Sequence, residues 1–429
     1  MNARNTVWDN MPPSKSGDDV VRFHGTFRSQ PCEFGMTDRQ LSTMLAVLGA
    51  PGVGKTQLIL PLVRQIKKTM RPNDTLVIFD TKGDYAKELA NKNDFILGKM
   101  PDGVNAEQVF WNIFTDAVFD AESTNDMIAS IRQTTSALFA ERRLTTTNIY
   151  FPNAARELLE AILCMMILEA SEHQDYSRLN NRSCKSYFNS FNSMEKWKAL
   201  APKLRKYGFA QAATHLEARE ASSIISEMAS LVSEIFVSDF AQNGSFGAKR
   251  FVNRQHGTIF LEYDLAMSEV LKPVYSLLVD SFQEEKMSHV PDGKLYLILD
   301  EMRLIPFSKR IEDSCAFGRS QGLCLIFGIQ SLTSLYASFG KEKADSILSC
   351  ISNMIAFRVN DAESRTFIEQ RCGKNLRPVS WEGRDMHNHE QLLFGNVAED
   401  WDIARLDVGD AVVQFGTIPP FMFHFYPDK

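Results

Sequence analysis

The stretch Met44 to Thr56, MLAVLGAPGVGKT, constrains this chain more than any other. An apolar run breaks there into Gly49-Ala50-Pro51-Gly52-Val53-Gly54-Lys55-Thr56, which satisfies G-x-x-x-x-G-K-[ST] at every fixed position. The residue types follow from the chemistry. Glycines let the backbone curl so that its N–H groups face a phosphate, Lys55 reaches the β/γ-phosphates, and the Thr56 hydroxyl can ligate Mg²⁺. Residues 57–68, opening at Gln57, supply a helix whose positive end faces the same anion. An ordinary Gly-rich turn is the alternative, but a candidate buried strand before the loop and a helix after it are the context nucleotide binding requires. The expected binding set is Gly49, Ala50, Pro51, Gly52, Val53, Gly54, Lys55, Thr56 and Gln57. Pro61 is expected to kink the helix, because it cannot donate its backbone hydrogen bond.

At 429 residues the chain exceeds one simple core, so two domains, or one domain with a large insertion, are expected. Its 44% hydrophobic and 23% charged content is that of a soluble globular protein. A formal net charge of −6 argues against a protein that coats nucleic acid over its whole surface, and leaves room for a locally basic channel. Cys32, Cys164, Cys184, Cys315, Cys324, Cys350 and Cys372 form no C-x-x-C pair and read as reduced thiols of a cytoplasmic protein. The longest apolar run, Ala161 to Leu168, falls short of the roughly 20 residues that span a bilayer and reads as a buried helix. Residues 1–19 have no signal-peptide core and read as a polar lead.

Along the chain, Val20 to Gln40 is mixed, with Phe23, Phe27 and Phe34 as its expected points of attachment to the core. Leu41 to Leu48 reads as the strand that feeds the loop and Gln57 to Met70 as the helix that leaves it. Thr75 to Phe79 is a strand ending in Asp80-Thr81-Lys82-Gly83-Asp84. Strand, loop, helix, turn and strand begin a parallel α/β sheet, in which ligands gather at the carboxyl ends of strands. Asp80, Lys82 and Asp84 are therefore either near the nucleotide or its substrate path, or in a solvated turn. Beyond Phe114, helical spacing runs through Thr124 to Phe139, Asn153 to Ala170, Ser193 to Lys206 and Ala221 to Phe240, an all-helical insertion. Strand character resumes at Gly257 to Tyr263, followed by a helix over Leu265 to Met287. Further strands are expected at Leu295 to Leu299, Leu323 to Gln330, Met354 to Val359 and Ala411 to Phe415, with Pro420 to Phe425 as an edge.

The strand Leu295 to Leu299 delivers two adjacent carboxylates, Asp300 and Glu301. Asp300 is placed to hold Mg²⁺ beside Thr56, and Glu301 to orient and deprotonate an attacking water. A capped turn or a structural ion pair is the alternative. Gln330 ends the neighbouring strand within reach of that water or of the γ-phosphate. Arg319, in the loop before the strand, is either an arginine finger aimed at an adjacent subunit's nucleotide or a solvated loop residue, with Arg303 and Arg310 poorer candidates. Lys196, Lys198, Lys203, Arg205 and Lys206 interleave with Trp197 and Tyr207. That pattern fits nucleic-acid contacts, and fits an exposed amphipathic helix better. His387-Asn388-His389 lacks ligand spacing and reads as a loop.

The set GAPGVGKT, FDTKGD after a strand, LILDE followed by a Gly-Arg loop, GIQS, and FGKEKADSILSCISNMIAFRVND resembles the coupling-protein ATPases of type IV secretion and conjugation, the TraG/TraD class. The resemblance runs from about Met44 to Tyr426, and Asn153 to Leu159 is similar to the first helices of that family's all-alpha domain. It implies catalytic roles for Lys55, Glu301, Gln330 and Arg319, with Arg319 as the finger, and a metal held at Thr56 and Asp300. Asp80, Lys82, Gly83 and Asp84 match an Asp-x-Lys-Gly-acidic signature in which Glu is commoner at the last place. It also implies ATP and Mg²⁺ as cofactors, a homo-oligomeric ring expected as a hexamer, and single-stranded DNA with a relaxase, or an effector protein, as cargo. Family members usually carry amino-terminal transmembrane helices. None is found here, so a soluble member, cytoplasmic or peripheral at the inner face of the membrane and served by a separate membrane subunit, is expected. The expected fold is α/β, a RecA-like P-loop NTPase core with a parallel-rich sheet, built from residues 20–118 and 251–429 around an all-α insertion at 119–250. The alternatives are a HerA/FtsK-like DNA translocase unconnected with secretion and a nucleotide-gated adaptor with little turnover.

Overall fold

Short runs of aliphatic and aromatic residues buried at every position are strands covered on both faces. LAVL, TLVIFD, LYLIL and LCLIFGI all have this burial. The computed structural model describes residues 6–119, 121–288, 292–305, 308–382, 388–416 and 418–427. Its strands are β1 (Asp19–Phe27), β2 (Gln30–Thr37), β3 (Leu45–Leu48), β4 (Thr75–Asp80), β5 (Phe95–Leu97), β6 (Glu107–Val109), β7 (Gly257–Glu262), β8 (Leu295–Leu299), β9 (Leu323–Ile329), β10 (Asn353–Ala356), β11 (Lys374–Glu382), β12 (Asn388–Asn396), β13 (Asp410–Phe415) and β14 (Phe421–Phe425). The chain divides into two compact units, one of Met1–Phe79, Asp292–Leu304 and Glu312–Lys429, the other of Asp80–Pro291 and Ile305–Ile311.

In the first unit the strands lie in the order β2-β1-β14-β13-β10-β3-β9-β8-β4. From β10 to β4 the neighbours are parallel where their register is resolved, and from β10 outward to β2 they are antiparallel. β14 is therefore not the edge expected of Pro420 to Phe425. The segment left unassigned, Val20 to Gln40, folds as the hairpin β1–β2 and takes the outer place. An aromatic cluster drives this docking: Phe34 stands edge-on to Phe423 and Phe421, at centroid distances of 4.8 and 5.2 Å, and Phe23 packs on Phe34 at 5.1 Å. Phe27 is only half-buried and lies instead under the Arg28 guanidinium, 5.2 Å away.

Only Leu45–Leu48 of the expected strand Leu41 to Leu48 is extended. Asp38–Leu41 is a helical turn that starts at a capping box between Thr37 and Gln40. Asn353, fully buried at the start of β10, donates its amide to the carbonyls of Gln40 and Met44, both at 2.8 Å, and so sets where β3 begins. The helix Lys55–Thr69 is continuous, with Pro61 inside it. Gln65 donates its side-chain amide to the Pro61 carbonyl at 3.2 Å and to that of Arg22 at 3.0 Å. β11 and β12 form a separate hairpin. Asn388 and His389, expected in a loop, open β12 opposite Glu382 and Trp381, and His387 lies outside the described residues.

The second unit holds the parallel strands β7-β5-β6 and most of the helices. Tyr150–His173 is its longest helix and buries the whole run Ala161 to Ile167, as expected of a core helix. No helix among the described residues is long and apolar enough to cross a membrane. Thr124–Leu138 and Ser268–Ser288 match the expected helices closely. Ser193 to Lys206 does not. It forms two short helices, Met194–Lys198 and Ala201–Lys206, because Pro202 is tolerated only in a first turn. The helix from Ala221 stops at Ile235, and the expected breaks contain the helices Asn181–Asn189 and Ala210–Glu217. All seven cysteines are free thiols.

One glycine holds the centre of the first unit together. A Cβ on Gly328 of β9 would meet the Asp300 carbonyl oxygen at 1.9 Å, so only glycine lets the end of β8 come this close. Gly328→Ala is expected to destabilise the unit by about 1–3 kcal/mol through overpacking. The denaturation midpoint measures this, and an unchanged midpoint would contradict the close approach.

Candidate functional site

Three parallel strands bring the site together. Pairing of Leu48 with Ile329, and of Leu299 with Phe327, sets Gly49, Gln330 and Asp300 at adjacent carboxyl ends. From β3 the chain enters the loop with the Gly49 amide on the Ile329 carbonyl at 3.0 Å and the Ala50 amide on the Arg358 carbonyl at 2.9 Å. Gly52 and Gly54 then adopt φ of +78° and +114°, which L-residues with side chains rarely take. A Cβ on Gly49 would meet Val53 at 2.7 Å and Phe357 at 2.9 Å. Val53 in turn accepts a hydrogen bond from the Gly409 amide at 3.2 Å. Phe357, Arg358 and Gly409 therefore brace the loop through backbone and packing, which a motif search cannot reveal.

The loop ends at the helix Lys55–Thr69, whose N-terminus has no side-chain cap and no acidic residue in its first turn. Lys55 donates its ammonium to the loop carbonyls of Gly49, at 2.5 Å, and Ala50, at 3.1 Å. Uncapped amides, a left-handed glycine pair and a folded-back lysine make a cradle that fits a polyphosphate. Thr56 is the hydroxyl donor there and Asp300 the carboxylate, both oxygen ligands of the kind a hard divalent cation takes.

Asp300 and Glu301 are both buried. Glu301 is held at both oxygens: the Gln330 amide donates to one, and the Arg303 guanidinium pairs with the other at 3.2 Å. Burial pushes its carboxyl above the ordinary range. Arg303 and Lys55 pull it back, Asp300 adds to the rise, and the Gln330 amide opposes it. Glu301 and Gln330, expected at neighbouring strand ends, bond to each other directly. Arg303, set aside as a poor finger, is the residue whose role was missed, two positions beyond Glu301. Arg319 lies in the short turn Gly318–Gln321, exposed, and its guanidinium makes no hydrogen bond or ion pair among the described residues.

A phosphate loop feeding a parallel sheet, with a carboxylate pair on a nearby strand, defines a RecA-like P-loop NTPase core. More narrowly, the chain belongs to the family of type IV secretion-system coupling protein DNA-binding domains, whose model matches residues 34–377. Solved structures agree on the fold. The bacterial conjugative coupling protein TrwBdeltaN70, in its unbound monoclinic form, has a TM-score of 0.72 at 18% identity, covering 98% of this chain and 90% of that one. TrwB in complex with ADP and Mg²⁺ gives 0.69 at 19% identity, covering 92% and 87%. VirB4 of Thermoanaerobacter pseudethanolicus gives 0.56 at 13% identity, covering 98% of each chain. No curated protein matches the sequence significantly.

Other candidates turn out to be structural. Asp80 is buried, and its two oxygens accept the backbone amides of Lys82, Gly83, Tyr85 and Ala86 at 2.8–3.1 Å, which closes the turn and starts the helix Asp84–Leu89. Lys82 and Asp84 are exposed beside it. Among the interleaved cations, Lys203 pairs with Glu169 at 2.5 Å, Arg205 with Glu217 at 2.5 Å and Lys206 with Glu172 at 2.9 Å. Trp197 is buried and stacked on Phe191. The amphipathic-helix reading holds there.

Asp80 also meets Glu262 at the end of β7. Burial first, and then the Asp80 charge, push the Glu262 carboxyl to about 9, so it keeps its proton and hydrogen-bonds to Asp80. Unfolded, the same group ionises near the usual glutamate value of about 4.3. Between these limits the folded chain binds the extra proton, so this stabilisation is complete at the acid end and drains away as pH rises toward and through about 9. Glu262→Gln is expected to flatten the decline of thermal midpoint with rising pH, and a decline of unchanged slope would contradict the shared proton.

Proposed function

We propose that this chain is the ATP-hydrolysing coupling protein of a type IV secretion channel, a motor that recruits single-stranded DNA with its relaxase, or a protein substrate, and passes it on. The observation that carries the reading is the Gln330–Glu301–Arg303 constellation next to an uncapped phosphate cradle on one sheet. Relatives of the same fold are described with ADP and Mg²⁺ and with a non-hydrolysable ATP analogue, which supports ATP and Mg²⁺ as cofactors here. Family membership favours the coupling protein over a HerA/FtsK-like translocase outside secretion. A buried glutamate with an elevated pKa is a base suited to turnover, which a cargo adaptor does not need.

The proposed roles follow from position. Gly49 to Gln57 wrap the phosphates, and Lys55 turns from its loop carbonyls to the β/γ-phosphate oxygens. Thr56 and Asp300 would hold Mg²⁺, which would supply positive charge to the phosphates. Glu301 takes the proton of the attacking water. Because both its oxygens are engaged, that water has to displace or share Gln330 or Arg303, so cleavage is felt at the end of β9. Arg319, exposed and without a partner among the described residues, completes the site of an adjacent subunit in a ring, as a hexamer, docked at the cytoplasmic face of the channel through a separate membrane subunit. The division into a nucleotide-binding domain of residues 20–118 and 251–429 and an all-α domain of 119–250 is part of the same proposal.

Glu301→Gln should retain ATP binding and lose about a hundredfold or more in turnover, because base and water positioning vanish together. Hydrolysis near the parental rate would remove Glu301 as the base. In Arg303→Ala the cation that holds Glu301 down is gone, so its carboxyl rises further and the acid limb of the ATPase profile should move to higher pH. For Arg319→Ala the expected result is loss of activity that added parental subunits partly restore in mixed rings. A fully active variant would remove the finger.

A further inference from the structure

In the second unit one pair of cations meets on a shared serine rather than on a carboxylate. The helix Thr124–Leu138 ends beside Ser136, and two cations converge on that single residue. Arg143 donates to the Ser136 hydroxyl at 3.1 Å and to its carbonyl at 2.8 Å. Lys309 donates to the same hydroxyl at 3.1 Å and to the same carbonyl at 3.4 Å. Neither forms an ion pair with a carboxylate among the described residues. The surrounding acids are engaged elsewhere: Glu160 by Arg156 at 2.7 Å and Arg132 at 3.0 Å, and Glu284 by Arg310 at 3.1 Å. Asp280 accepts the Ser308 hydroxyl and the backbone amides of Lys309 and Arg310. Burial lowers both cations below their ordinary values; the Arg156 charge lowers Arg143 further, and the Arg143 charge lowers Lys309 against a smaller opposing pull from Asp280.

Two like charges sharing one hydroxyl repel, and what resolves the repulsion is an anion with oxygens for both. Within seven residues of Arg143 along the chain, Leu144, Ile149 and Tyr150 are 76, 57 and 45% exposed, which puts apolar surface and an aromatic ring close to it in sequence. Cations next to an exposed ring are the pattern of single-stranded nucleic acid, with the phosphate held by charge and a base on the aromatic face. We propose that Arg143, Lys309 and the Ser136 hydroxyl seat a backbone phosphate of single-stranded DNA and that Tyr150 stacks a neighbouring base. This rests on the reading of the chain as a DNA-handling coupling protein, and it names the residues that the interleaved-lysine pattern failed to supply.

The test is fluorescence anisotropy of a labelled thymidine oligonucleotide titrated with the full chain over a salt series. Arg143→Ala/Lys309→Ala is expected to weaken binding by about tenfold at low salt and to reduce the salt slope by about 0.7, the value of one single-strand phosphate. Tyr150→Ala should lose about tenfold with the slope unchanged. DNA-free ATPase should stay at the parental level, and the thermal midpoint should not fall, because the repulsion is relieved. Lys206→Ala, which removes a paired cation, serves as the reference and should bind as the parent does. If the parent binds and the double variant binds equally, the seat is wrong while the DNA reading stands. If the parent binds no oligonucleotide, both fail. A midpoint lowered by several degrees with unchanged DNA binding would make the pair helix-capping groups. Loss of binding to phosphatidylglycerol vesicles in place of DNA would make the anion a lipid. Either result overturns the proposal.

Discussion

The parallel register of β3, β9 and β8 is what the site depends on. Register in a sheet buried on both faces is enforced by packing, since a slip of one residue turns every side chain to the opposite face. Here it sets the ends of three strands side by side, and each end is followed at once by a chemical group: Gly49 after β3, Gln330 after β9 and Asp300 after β8. The absence of a side chain at Gly328 lets two of those ends approach. The phosphate cradle, the Asp300–Glu301 pair and Gln330 are thus brought together by strand pairing, with the loops contributing fine geometry.

Charge placement separates the two units by purpose. In the first unit Glu301 is buried beside Arg303 and Lys55, which oppose the rise that burial imposes on its carboxyl. In the second unit burial and the Asp80 charge outweigh the opposing pull of Lys87 on Glu262, which keeps its proton. Burial raises both; what differs is whether a guanidinium is within reach.

Much of this was legible in the sequence, for identifiable reasons. The phosphate loop, the carboxylate pair and the glutamine are local patterns in which the residue types follow from chemistry, and the buried strands are short apolar runs that cannot be much else. What escaped required knowledge of partners distant in the chain. The hairpin β1–β2 alternates too weakly to announce itself and is held by phenylalanines near the other terminus. Pro202 splits a run whose helical spacing is otherwise continuous. The amphipathic-helix reading of the cations of residues 196–206 is decided by Glu169, Glu172 and Glu217, which lie elsewhere in the chain, whereas Arg143 and Lys309 look ordinary in sequence and stand out only because both converge on Ser136.

The order in which the first unit is assembled has a consequence for synthesis. β3 emerges early, but both strands that flank it, β9 and β10, begin only at Leu323 and Asn353, after the whole contiguous body of the second unit. A growing chain therefore carries a bare apolar strand, with no hydrogen-bonding neighbour on either side, for most of its translation. Such a strand is prone to pair with the wrong partner, and long-range parallel pairing closes slowly. The second unit is nearly continuous in sequence and folds first. The candidate site is among the last parts of the molecule to come into being, so a truncated product carries the phosphate-loop motif without the strands that complete it.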